Sequence, residues 1–355
     1  MLLEAALAIS DVQLLQAWRD VLALSKLKAG EAVTILSSSD TNKQNLDAAR
    51  NAAIDLGAIV TVVELPPTNG DLALSRDKTA FIGKTALEGN KAAMAALKNS
   101  DLVVDLMLLL FSPEQAEILS GGTRMLLAVE PPEVLTRLKP TADDKRRVVA
   151  AAAKLGKAKQ MTVTSKAGTN LVCDLGEFPV LTEYGFADEP GRWDHWPSGF
   201  LATWPNEKTA RGTIVIDRGD ILLPFKNYVQ APIKLTVENG YVTKVEGDFD
   251  AEFLKSYMDS FNDPEVYAIS HIGWGLQPRA QWTALGLYDK EATLGMDARA
   301  FYGNFLFSTG PNTEAGGTRD TPCHIDIPLR HCSVSLDGVP MTVEGDVVVA
   351  DQKAA

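Results

Sequence analysis

The tripeptide His324-Ile325-Asp326, set in Thr-Pro-Cys-His-Ile-Asp-Ile-Pro-Leu, has residue types and a spacing that can hold a metal. On a strand, residues two apart share a face, so His324 and Asp326 would present an imidazole and a carboxylate to one point. Cys323, Ile325, Ile327 and Leu329 would then form an apolar stripe on the other face. A third ligand would complete a two-histidine, one-carboxylate face, which binds non-haem iron(II) and leaves positions open for oxygen and substrate. The chain has four histidines to supply it: His195, His271, His324 and His331. H-x-D also occurs by chance, so the motif alone leaves a metal role and a structural one both open.

His271 lies in Ala-Ile-Ser-His-Ile-Gly-Trp-Gly-Leu, where glycines flank Trp274. Such glycines permit close backbone approach or a positive φ, both common beside a site, but a half-buried histidine at a strand end fits equally well. His195 sits in Asp188–Pro197, which is rich in ionisable and aromatic groups and poor in aliphatic ones. That composition suits a pocket wall, or else an ordered contact loop. Glu183 adds a carboxylate just upstream, able to act as a base or as a further metal ligand. In the run from Met296 to Asn312, Arg299 suits an anionic substrate group or a structural ion pair, and Ser308 or Thr309 can donate hydrogen bonds. His331 follows Arg330 in a polar turn and reads as surface.

The elements that must position these groups fall into two textures. Helical spacing covers 11–27, with strand-like Ala32–Leu36, a helix at Asn45–Leu56 and a strand at Ile59–Leu65. A helix at Thr85–Leu97 and a strand at Asp101–Asp105 follow, then a helix opened by Ser112-Pro113-Glu114, a strand at Met125–Val129 and a helix at Asp143–Leu155. This alternation predicts a parallel sheet with helices on both faces, a doubly wound, Rossmann-like α/β domain over 1–158. Beyond it, Met161–Ser165, Asn170–Asp174, Gly212–Ile216, Ile221–Leu223, Ile233–Glu238 and Tyr241–Glu246 read as short strands, the last two joined by an Asn239-Gly240 hairpin turn. Helices are expected at Ala251–Phe261 and Arg279–Leu287, and the Trp- and Gly-rich stretch 184–207 as an ordered loop. Residues 159–355 are thus expected to form an antiparallel-rich α+β domain that carries the candidate metal site.

With 355 residues, 46% hydrophobic and 23% charged, the chain has an ordinary globular composition and room for two cores. A net charge of −12 excludes the basic field of a nucleic-acid binder. Cys173, Cys323 and Cys332 show no CxxC spacing, which favours a reducing cytoplasm. The apolar residues 1–9 carry Glu4 where a signal peptide would be basic, so they read as a helix or arm, and no uncharged run is long enough to span a membrane. That arm, with an exposed tryptophan loop, favours a homo-oligomer. There is no GxxxxGK[ST], strand-following GxGxxG, HExxH or GxSxG.

Taken together, Tyr184–Pro205, Phe261–Ala284, Met296–Thr313 and Thr321–Leu329 resemble the 2,5-dihydroxypyridine 5,6-dioxygenases, ring-opening enzymes of nicotinate degradation on an aminopeptidase-T-like fold. The resemblance extends over essentially the whole chain, including Leu126–Leu135 and Thr141–Val148. It implies an Fe(2+) cofactor held by His271, His324 and Asp326. It also implies that 2,5-dihydroxypyridine is opened with O2 between C5 and C6 to N-formylmaleamate. Glu183, His195, Arg299 and Ser308 are implied to contact the substrate, with Trp196 as a wall. The family pattern has its acid–base histidine where this chain has Phe111, so turnover is expected to be depressed, or the proton relay to lie elsewhere, for instance at His195. Two rivals stand beside this reading. One is an aminopeptidase-T-like two-metal peptidase, with Glu183 and Glu265 as the obvious extra carboxylates. The other is a small-aromatic-binding protein in which the same histidines are structural.

Overall fold

The computed structural model describes residues 9–66 and 85–354. The arm expected at residues 1–9 lies, except for Ile9, outside the described residues. The first half alternates as expected: α1 (Asp11–Leu24), β1 (Ala32–Ser38), α2 (Lys43–Asp55), β2 (Ile59–Leu65), α3 (Lys91–Lys98), β3 (Leu102–Asp105), α4 (Pro113–Ser120), β4 (Arg124–Leu127), α5 (Pro132–Arg137) and α6 (Ala142–Leu155). Local chemistry starts the helices. Ser10 with Gln13 and Thr141 with Asp144 form capping boxes, and Ser112 caps a helix whose first residue is Pro113. The helix expected from Thr85 begins only at Lys91, because Asn90 caps it there after a turn in which Gly89 takes a positive φ.

From Gln160 onward strands dominate: β5 (Gln160–Ser165), β6 (Asn170–Asp174), β7 (Val180–Glu183), β8 (Trp193–His195), β9 (Phe200–Thr203), β10 (Arg211–Ile216), β11 (Ile221–Leu222), β12 (Asn227–Tyr228), β13 (Ile233–Glu238) and β14 (Tyr241–Gly247). After α7 (Phe249–Asp259) come β15 (Ile269–Gly275), α8 (Met296–Arg299), β16 (Phe305–Thr309), β17 (Ile325–Leu329), β18 (Cys332–Leu336), β19 (Val339–Val343) and β20 (Asp346–Val347). The Asn239-Gly240 turn forms as expected, both residues at positive φ. The helix expected over Arg279–Leu287 is only a 3-10 turn at Trp282–Gly286. Just before it, Gln281 N–H donates to Asp297 and Arg279 N–H to the Gln277 side chain.

The fold is a mixed α/β architecture with one parallel and several antiparallel sheets. The five parallel strands run in the order β2-β1-β3-β4-β8, so the last strand comes from residues 193–195, inside the stretch expected to be a loop. One face, with Val33, Ile35, Val104 and Leu126, packs on α1, α2 and α6, and the other, with Leu36, Val103 and Met125, packs on α3 and α4. This is the doubly wound arrangement, whose ligand crevice lies beyond the carboxyl ends of the strands. An eight-stranded sheet, β14-β13-β10-β6-β5-β18-β19-β20, a five-stranded antiparallel sheet, β17-β16-β15-β9-β7, and a two-stranded pair, β11-β12, form the rest. No helix among the described residues is long and apolar enough to cross a membrane.

Candidate metal centre

Strand β16 is paired with β15 on one side and β17 on the other, which brings His271 and Asp326 to opposite sides of Ser308. Cys323, Ile325, Ile327 and Leu329 enter the core, so His324 and Asp326 share the other face, as the alternation requires. His271 Nε2 lies 3.2 Å from His324 Nε2 and 3.0 Å from Asp326 Oδ1, and His324 Nε2 lies 3.1 Å from that same oxygen. All three residues are buried. An octahedral cation with bonds of about 2.1 Å keeps adjacent ligand atoms roughly 3.0 Å apart, and a tetrahedral one roughly 3.4 Å. The donor triangle therefore fits one face of an octahedron, and its two imidazoles and one carboxylate are a donor set suited to iron(II). Among the described residues it is the one group of three or more such donors within mutual reach.

The aim of His271 depends on a break in register. Ile269 pairs with Thr309 and Ile272 with Phe307, so β15 holds one residue more than β16 over this interval. Such a bulge turns a side chain out of the regular alternation. The Ser308 hydroxyl supplies what the ladder omits, accepting from His271 N–H at 2.9 Å and donating to His271 C=O at 3.3 Å. Trp204 sets its ring edge-on to the imidazole at 5.9 Å. His271 Nδ1 is buried with no hydrogen-bond partner among the described residues, so packing and backbone orient the ring. Gly273 and Gly275 permit close approach: a Cβ on either would run into the carbonyl oxygens of Leu201 and Phe301.

Asp326 uses its second oxygen on Arg299, whose Nε donates at 2.6 Å. Burial pushes the carboxyl up, but the charge of Arg299 and the imidazoles of His324 and His271 outweigh it and hold Asp326 well below the usual carboxylate range. Of the two roles open to Arg299, the structure shows the ion pair. Nearby, Glu183 at the end of β7 accepts from the Ser198 hydroxyl at 3.2 Å and lies 3.8 Å from His195 Nδ1. Burial, then the charge of Asp194, pushes the Glu183 carboxyl well above its usual range. Burial, helped by Arg299, pulls His195 down to about 3, so its imidazole is neutral, and Nε2 has no hydrogen-bond partner among the described residues. Asp194 fixes this corner by accepting from the backbone N–H groups of Tyr184, Gly185 and His195.

The other candidates scatter. Phe111, at a positive φ and 37% exposed, sits 6.0 Å from the Trp193 ring, which is 6.3 Å from His195. Trp196 is in the core: it meets Trp18 edge-on at 4.8 Å and donates to Leu135 C=O. The tryptophan that touches His271 is Trp204, which the sequence reading did not single out. The expected exposed tryptophan loop needs correction, since Trp196 and Trp204 are buried and Trp193 half-buried, their rings being used in packing. His331 is exposed, as expected. Glu265, an extra carboxylate for a two-metal centre, accepts instead from the Tyr241 hydroxyl. Asp194, Ser198 and Trp204 were missed because only the pairing of distant strands gives them a role.

Known proteins bear on this geometry. A family profile, NicX, described as 2,5-dihydroxypyridine 5,6-dioxygenase, matches residues 13–349. The 2,5-dihydroxypyridine 5,6-dioxygenase of Pseudomonas putida KT2440 is 58% identical over 347 residues, 98% of this chain and 99% of that protein. The solved 2,5-dihydroxypyridine dioxygenase from Pseudomonas putida KT2440 matches with a TM-score of 0.95 at 57% identity, covering 98% of this chain and 100% of the other. Wild-type AmpT from Thermus thermophilus matches with a TM-score of 0.62 at 16% identity over 95% of this chain and 99% of its own, a likeness of fold alone. With a profile match from residue 13 to 349 and a relative identical at more than half of its positions, this chain is an enzyme and belongs to the 2,5-dihydroxypyridine 5,6-dioxygenase family.

Proposed function

We propose that this chain is an iron(II)-dependent, extradiol-type dioxygenase of nicotinate catabolism that opens 2,5-dihydroxypyridine between C5 and C6, giving N-formylmaleamate. The observation that carries the proposal is the donor triangle of His271, His324 and Asp326, with separations of 3.2, 3.0 and 3.1 Å. The reaction balances with O2 alone: the C5–C6 bond breaks, one oxygen atom goes to each carbon, C5 becomes a carboxylate and C6 a formyl group. Bound iron(II) would supply the means for a singlet ring and triplet oxygen to react.

The chain's own residues supply orientation and protons. Arg299 keeps Asp326 ionised and directs one of its oxygens at the two imidazoles. Burial raises the Glu183 carboxyl well above its usual range and so favours its protonated form, which can lend a proton to a product oxygen; the carboxylate left behind can then take one from a substrate hydroxyl. Neutral His195 offers Nε2 to the pyridine ring or its 2-oxygen. Ser308 keeps His271 in line. Phe111 cannot move a proton, so Glu183 and His195 must carry transfers that a histidine at 111 would share. The proposal keeps a division into 1–158 and 159–355, with Trp193–His195 as the part of the second region that completes the parallel sheet. A cytoplasmic homo-oligomer is proposed with it, and the three buried cysteines, none of them in a disulfide, fit a reducing compartment.

Oxygen uptake with 2,5-dihydroxypyridine, Fe(II) and ascorbate tests the reading. One iron per chain and substrate-dependent uptake are expected. Two zinc or cobalt ions per chain, or no uptake by either the unaltered chain or Phe111→His, would overturn it. A rate gain is expected for Phe111→His, and no gain would sink the idea that position 111 limits turnover.

A further inference from the structure

Glu130 lies three residues beyond β4, at the carboxyl end of the parallel sheet, and its side chain is fully buried. A buried carboxylate is costly unless every lone pair is used. Here the chain from Thr293 to Met296 wraps around it: the Thr293 hydroxyl donates at 2.5 Å, Leu294 N–H at 3.1 Å and Met296 N–H at 3.0 Å. The wrap closes on itself, since Gly295 N–H donates to the Thr293 hydroxyl oxygen and Gly295 takes a positive φ. On the other side, Asn45 ties the Glu130 carbonyl to α2.

Leu294, held by its N–H, gives its carbonyl to Arg299 Nη1, and Arg299 Nε holds Asp326 at 2.6 Å. Asn304 fixes the far end of α8 by donating to the carbonyls of Ala298 and Arg299. A continuous path of hydrogen bonds thus runs from the parallel sheet to the carboxylate of the candidate metal centre. Nothing about residues 293–296 as a turn demands a buried charge. A carboxylate does suit a turn whose donors must be kept in place while a guanidinium pulls on the carbonyl between them.

We propose that Glu130 is a positioning residue: by clamping residues 293–296 it fixes Arg299, and through Arg299 it sets the aim of Asp326 at the metal. This rests on the proposed role of His271, His324 and Asp326 as metal ligands. Glu130 touches none of those three and is not itself a ligand.

The test is anaerobic titration of the full chain with ferrous ion, alongside steady-state kinetics with 2,5-dihydroxypyridine and thermal melting. For a residue acting behind a ligand, Glu130→Gln should weaken ferrous-ion binding by about 10–100-fold. It should lower kcat more than it raises KM, while the chain still melts in one cooperative step. Thr293→Val, which removes one of the donors, should give a smaller loss in the same direction, and it decides the matter if Glu130→Gln does not fold. A purely structural Glu130 would lower the melting temperature and leave ferrous affinity within about twofold. That result in either folded variant overturns the inference and leaves the metal reading intact. An unaltered chain that takes up no ferrous ion overturns the metal reading itself, and this inference with it.

Discussion

In the parallel sheet, Val33, Ile35, Val103, Val104, Met125 and Leu126 fill both faces with hydrocarbon, whereas the antiparallel strands β15, β16, β17 and β7 bury His271, Ser308, Asp326 and Glu183. Both sheets have five strands. The first gains stability from apolar burial, about 25 cal/mol for each Å² removed from water. The second must offset the desolvation of charges with pairing, and Arg299, the two imidazoles and Ser308 provide it. The parallel sheet is not idle in the chemistry. Its carboxyl ends carry Asp105, Glu130 and His195, and Asp105 accepts from Met107 and Leu109 N–H to shape the segment leading to Phe111. On the proposed reading, the parallel sheet is a scaffold whose strand ends carry supports and His195, while the antiparallel sheet holds Glu183 and the candidate metal ligands His271 and Asp326.

Removing a member from each sheet should separate stability from chemistry most sharply. Asp326→Ala leaves Arg299 buried opposite two histidines, and breaking a buried pair in this way costs about 3–5 kcal/mol. The folded fraction should bind no ferrous ion and turn over no substrate. Ile35→Ala should cost about 2–5 kcal/mol through a cavity, yet leave iron per folded chain and kcat unchanged. Melting curves with metal analysis on the same samples check both, and an iron-replete Asp326→Ala would erase the distinction.

A gentler change tests the pairing itself. Arg299→Lys keeps the charge but cannot reach the Leu294 carbonyl and Asp326 together, because an ammonium lacks the planar fork. Ferrous affinity should fall by about 10–100-fold, as is usual for partners of metal ligands. Equal affinity in the lysine variant would mean that charge alone, not geometry, holds Asp326.

The contrast between the sheets also decides what could be read in advance. His324 and Asp326 were legible because alternation within one strand is local, and the stripe from Cys323 to Leu329 enters the core as the period demands. The first half was legible because caps and apolar periodicity are local as well. The bulge at His271 was not, since it exists only relative to β16. Trp193–His195 read as loop because three residues carry no period, and only pairing with β4 makes them a strand. Trp196 and Trp204 have similar neighbours in sequence, yet one packs on Trp18 and the other on His271. Arg299 was left between two partners, and Glu130 passed unnoticed, because each acts through residues far along the chain.

At the boundary between the sheets, His195 predicts a pH effect on stability. Burial and Arg299 hold its folded pKa at about 3, against 6.5 ordinarily. A depressed value means that the unfolded chain takes up a proton that the folded chain refuses, so stability is full above pH 6.5 and is lost as pH falls toward 3. One such proton contributes a slope of about 1.4 kcal/mol per pH unit in that window. His195→Gln should remove this share of the slope in denaturant titrations of metal-free chain between pH 6 and 4. An unchanged slope would mean that the imidazole titrates freely in the fold.

The smallest effect should come from Ser308, where the two sheets differ in backbone rather than charge. The parallel ladders keep unbroken register, while β15 breaks register at the residue that must aim an imidazole. Regular pairing needs no side-chain help, but a bulged residue leaves backbone groups without ladder partners, and at His271 one hydroxyl serves both the N–H and the C=O. Ser308→Ala leaves those groups buried with that partner gone, a loss of about 1–3 kcal/mol, softened where neighbouring backbone relaxes. Ferrous affinity should weaken by only a few-fold, because Trp204 still confines the ring and the other two donors stay in place. Ser308→Thr keeps the hydroxyl and should recover most of the loss if the pocket admits a methyl group. If Ser308→Ala melts and binds iron like the unaltered chain, the bulge is held by strand pairing alone, and the aim of His271 owes nothing to the hydroxyl beside it.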